Sequence, residues 1–152
     1  MKPERRFSGL LGALGALLGA LPTALLAWLL MGRGIFTGVA GAAGFFLSLG
    51  GFRLLSGRFS GLGNALAALL TPLAALPGLW YACAELILRE NERYGCTMDE
   101  ALELVPTVAF DPINRGQLLW YAGSVLALDL LCALLFARYL RLGKLEKVRS
   151  KK

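Results

Sequence analysis

Residues 8–31 read SGLLGALGALLGALPTALLAWLLM, a run without one charged side chain. Crossing the hydrocarbon core of a bilayer takes about 20 mostly apolar residues in a helix. Lys2, Arg5 and Arg6 ahead of a Leu/Ala core also suit a secretory leader. Pro22, however, spoils a small-residue cleavage site, and the apolar run continues through Leu25, Trp28 and Leu30. An uncleaved membrane span is therefore expected.

Three more such runs follow, over about 34–55, 61–88 and 112–140. Apolar residues make up 57% of the chain and charged ones 17%, against about 25% charged in soluble domains. Nearly all the charge lies between and beyond the four runs, which is the segregation of a membrane protein. No shift in composition marks a second domain, so residues 1–152 are expected to form one all-α membrane domain, a four-transmembrane-helix bundle. Gly32-Arg33-Gly34 and the segment 56–60 are tight links. Links this short make successive helices antiparallel neighbours.

Orientation follows from the Lys and Arg bias of the short loops. With the N-terminus inside, Lys2, Arg5, Arg6, Arg53, Arg58 and the seven basic residues from Arg138 onward share the inner side; Arg33, Arg89, Arg93 and Arg115 are outside. Both termini are thus expected on the inner, cytoplasmic side of the membrane. Trp28, Trp80, Tyr81, Trp120 and Tyr121 fall at the outer ends of their spans, where amphipathic rings favour the headgroup level.

The net charge of +6 does not indicate nucleic-acid binding, because the basic tail 141–152 follows directly on a span. Arg141, Lys144, Lys147 and Arg149 are expected to contact anionic lipid headgroups. The outer loop 89–111 carries Thr97 and Glu100 at capping-box spacing. Met98, Ala101, Leu102 and Val105 recur at helical spacing with Asp99, Glu100 and Glu103 opposite, predicting a short amphipathic helix between the third and fourth spans that ends at Pro106. Asp111-Pro112 suits the N-cap and first turn of the fourth span.

Glycines collect in the first span at Gly12, Gly15 and Gly19 and in the second at Gly34, Gly38, Gly41 and Gly44. In lipid, small residues let helix backbones approach closely. Packing of the first helix on the second is expected, with a homo-oligomer face as the alternative.

The chain has no His and no Cys-x-x-Cys, so neither a zinc ligand set nor a Ser-His or Cys-His pair can be assembled. No metal, no cofactor and no catalysis are expected. One ionisable residue stands out: Asp129, midway along the fourth span. A carboxylate there costs about 2.5–3.5 kcal/mol on insertion scales and so faces the bundle or water. Lacking a basic partner at its depth, it is expected to favour the neutral acid. Thr23, Ser48 and Thr71 are its expected neighbours, with carbonyls freed by Pro22 or Pro72, forming a candidate ion or proton site. The alternative is a purely structural hydrogen bond. Glu85 is expected to pair with Arg89 along its own helix.

GALGALLGALP at 12–22, the glycine-rich second span ending GFRLLSG at 51–57, and the capped loop helix resemble the small uncharacterised Gly-rich four-helix membrane proteins of Gram-positive bacteria. The resemblance implies the same topology and assigns no functional residue. The leading expectation is a non-enzymatic multi-pass protein acting as an oligomeric unit or as a small subunit of a membrane complex. The alternative is a small proton- or cation-coupled transporter or channel using Asp129; a holin-like pore former is a third.

Overall fold

A computed structural model describes residues 3–112 and 114–149, with side chains placed over 9–112 and 114–142. It is all-helical: α1 (Pro3–Ala20), α2 (Pro22–Gly32), α3 (Gly38–Ser56), α4 (Gly61–Asn91), a 3-10 turn (Glu92–Tyr94), α5 (Met98–Phe110) and α6 (Arg115–Arg149). Four segments are long and apolar enough to cross a membrane: Gly9–Gly32, Gly38–Ser56, Gly61–Tyr94 and Arg115–Leu142.

The first of these is not one rod. Pro22 has no N–H for the Leu18 carbonyl, and the helix breaks at Leu21 and restarts with Pro22 in its first turn. The two halves then take different partners. α1 packs chiefly on α3, α2 chiefly on α4, and α6 lies against both α3 and α4.

Glycines set the closeness of these contacts. A Cβ at Gly15 would fall onto the Gly51 carbonyl, and one at Gly51 onto that of Gly15. Gly19 faces the Leu47 carbonyl, Gly12 the Phe52 ring, Gly38 and Gly41 the Ser124 and Val125 carbonyls of α6, and Gly78 of α4 the Ala24 carbonyl of α2. Gly34 departs from the expected packing role. It lies between α2 and α3 with φ +67°, and a Cβ there would meet nothing. Its N–H bonds the Met31 carbonyl and that of Ile35 the Leu30 carbonyl, the two bonds of a Schellman motif. Gly34 ends a helix instead of packing one.

Other boundaries also shift. α5 continues through Pro106 to Phe110, because its Ala101, Val105 and Ala109 are buried against Ala84 and Ile87 of α4. α6 starts at Arg115 instead of Pro112: the Asp111 carbonyl accepts from the Asn114 and Arg115 amides in a turn that precedes the helix. α6 runs to Arg149, so the expected tail is helical over most of its length. Lys144, Lys147 and Arg149 lie in that helix, their side chains outside the described ones.

The outward faces are rich in leucine; Leu134 is 69% exposed and Leu69 58%. Arg53, Arg58, Arg138 and Arg141 share the end of the bundle where α4 begins, hereafter the basic end. α5 packs on α4 toward the opposite end.

Candidate functional site

Four helices meet at mid-height around a small polar group. α6 contributes Asp129, α4 Thr71 and α2 Thr23, each completely buried. α3 contributes a gap at Gly44, where a Cβ would strike Thr23 Oγ1 and Thr23 Cγ2 on one side and Thr71 Cγ2 on the other. Thr23 owes its place to the Pro22 break, which turns α2 toward α4 directly before it. Thr71 precedes Pro72, whose missing N–H leaves the Ala68 carbonyl without its helical donor.

Thr71 faces the Asp129 carboxyl. Even so, neither carboxyl oxygen closes a hydrogen bond of normal geometry, and neither do the Thr23 and Thr71 hydroxyls. Orphaned polar atoms in a close-packed interior are uncommon. Three side chains from three helices together form an oxygen-lined site with most of its hydrogen-bonding capacity unused. Among the described residues the Glu85–Arg89 ion pair, at 2.5 Å, lies elsewhere, near the α5 end.

Compared with protein-family models, curated proteins and solved structures, the chain matches none. The site is therefore interpreted from its own chemistry. A protonated Asp129 can donate to a threonine oxygen; an ionised one can accept from both hydroxyls. Carboxylate, hydroxyl and freed carbonyl oxygens are also the hard ligands that small cations take. Among the described residues no group of three or more His, Cys, Asp or Glu is placed to hold a metal ion.

Ser48, expected in this group, is committed elsewhere: its hydroxyl donates to the Ala16 carbonyl at 2.9 Å and ties α3 to α1. The contacts of Thr37 and Ser124 had no distinctive sequence signal. Thr37 and Ser124 hydroxyls lie 2.9 Å apart, and both reach the Tyr121 carbonyl. Trp28 Nε1 donates to Glu85 Oε2 at 2.7 Å, so Glu85 joins α2 as well as Arg89. Asn64 Nδ2 donates to the Ala133 carbonyl at 3.2 Å. An uncharged amide inside an apolar run is the same kind of signal that Asp129 gives, and it could have marked Asn64.

Proposed function

We propose that this chain is a non-enzymatic multi-pass protein of a bacterial cytoplasmic membrane, with both termini in the cytoplasm, that binds a proton or small monovalent cation at Asp129 and couples it to transport. One observation carries the reading: Asp129, Thr71 and Thr23 converge from three helices, fully buried, with the Thr71 hydroxyl facing the carboxyl and no hydrogen bond of normal geometry closed among them. A carboxyl held only for structure would be expected to have its bonds made, since each unmet buried group costs about 1–3 kcal/mol.

The test is flux in liposomes containing the purified protein, under imposed pH, Na⁺ or K⁺ gradients. Asp129→Asn keeps the volume and a donor but cannot ionise. It is expected to leave the unfolding temperature within a few degrees and to abolish gradient-driven flux. Undiminished flux in a folded Asp129→Asn protein would defeat the coupling role.

A second reading, as the subunit of a membrane complex, is favoured by α6. It is the least buried of the four long apolar segments, at 17% against 33–44%. Its flank at Leu131 and Leu135 is more than half exposed. A stable partner co-purifying in mild detergent would support that role.

A further inference from the structure

At the basic end, α4 and α6 part to leave a half-open cavity of about 540 Å³, lined by Arg58, Ser60, Gly61, Asn64, Ala137 and Arg141 among others. Arg58, from the turn that precedes α4, and Arg141 of α6 thus border one space. Both arginines are exposed, and neither forms an ion pair among the described residues. The Asn64–Ala133 hydrogen bond ties α4 to α6 beneath them. Beside the cavity, Arg53 lies over the Phe59 ring at 4.5 Å, and Phe59 packs on Phe136 at 5.2 Å. This aromatic wall holds the Arg58 turn against α6.

Above the cavity the seam turns apolar. Along α6 its outward positions are Ala137, Leu134, Leu130 and Leu126, recurring at the three- and four-residue steps that keep to one helix face. Higher on the same seam is a groove of about 320 Å³ between Leu73 and Leu76 of α4 and Gly123 and Leu126 of α6. Ala137 and Leu126 are about 16 Å apart along the helix axis, close to one leaflet of a hydrocarbon core about 30 Å thick. Two arginines at the end of an exposed apolar helix face about one leaflet long match one ligand chemistry: a phosphodiester bearing acyl chains.

We infer that the α4–α6 seam binds a single anionic phospholipid, its phosphate between Arg58 and Arg141 and one acyl chain along Leu134, Leu130 and Leu126. This goes beyond general attraction of a basic tail to a charged surface, because it assigns the lipid to a defined pocket. It rests on the membrane reading but does not require Asp129 to move an ion.

The experiment titrates phosphatidylglycerol, phosphatidylcholine, sn-glycerol 3-phosphate and inorganic phosphate into protein held in neutral detergent. Thermal unfolding reports binding. Phosphatidylglycerol is expected to raise the unfolding temperature saturably, and the other three not. Each arginine near an anionic lipid contributes about fivefold in affinity, so R58Q/R141Q should bind about twenty-fivefold more weakly, with unfolding in detergent alone unchanged. A tail variant, K144Q/K147Q, should keep the full preference. Equal shifts from phosphatidylcholine, an undiminished response in R58Q/R141Q, or loss through the tail variant alone would overturn the assignment. Equal shifts from either soluble phosphate would show a free-anion site and overturn it too. Failure of the membrane reading is distinguishable, since the protein would then be released from membranes by alkaline carbonate.

Discussion

Gly15 and Gly51 meet backbone to backbone, and the cost of a single methyl group there can be measured. A Cβ at either position overlaps the carbonyl of the other, whereas Gly50, one residue away on α3, has nothing within 4 Å of a Cβ. Gly15→Ala should destabilise the bundle by about 1–3 kcal/mol, the usual range for overpacking. Gly50→Ala should change it by less than about 0.5 kcal/mol. Unfolding in one detergent at matched concentration compares them; equal losses would mean that the close approach does not hold α1 on α3. The composition of the spans made small-residue packing legible, but not the pairing of individual glycines. Gly34 fits the spacing of its neighbours and yet ends a helix, because one φ angle, invisible in a pattern of residue types, decides its role. Asp129 was legible because an acid in an apolar run is costly wherever the run lies. Thr37 and Ser124 were not, since a helical hydroxyl can equally bond its own preceding turn.

Among the elements, α5 has the most explicit terminus. The Thr97 N–H donates to Glu100 Oε2 at 2.8 Å, and the Glu100 N–H reaches the Thr97 hydroxyl at 3.4 Å. These bonds at Thr97, the backbone one foremost, hold the Glu100 carboxyl below the usual glutamate range. A carboxyl lowered in the folded state stabilises it at pH above the unfolded value, and that contribution is lost as pH falls through the folded value. Amide exchange at Met98–Ala101, corrected for intrinsic rates, should therefore stay slow near neutrality and quicken on acidification below the ordinary glutamate range. Glu100→Gln should remove the pH step. Thr97→Ala should cost about 1 kcal/mol of local stability. A pH step surviving in Glu100→Gln would locate the titrating group elsewhere. This cap could be read from residue types alone, because its geometry is local. The course of α5 past Pro106 could not: losing one N–H is offset by burying Val105 and Ala109 on α4, a tertiary gain that no local pattern contains. Pro22 shows the converse, breaking a span whose halves then serve different partners.

For the molecule as a whole, apolar length made the four spans legible and link length their alternation. Which helices touch was legible in part: the first span was expected on the second, and its α1 half does pack on α3, but a bend at Leu21 turns its α2 half to α4. Orientation rests on charge. Cationic side chains resist transfer to the outer face, so the end carrying Arg53, Arg58, Arg138 and Arg141 should remain in the cytoplasm and the end carrying α5 should cross. The native Cys96, partly exposed at the start of α5, provides one probe, once Cys83 and Cys132 are replaced by alanine. Ser150→Cys, in a chain also lacking Cys96, provides the other. A membrane-impermeant maleimide added to intact cells should label Cys96 and reach Ser150→Cys only after permeabilisation. Labelling in the opposite order would invert the bundle and place Arg58 and Arg141 in the outer leaflet. Asp129 would keep its depth, because a residue midway along its helix is equally far from either face, so the polar junction and the sidedness of the membrane can be tested separately.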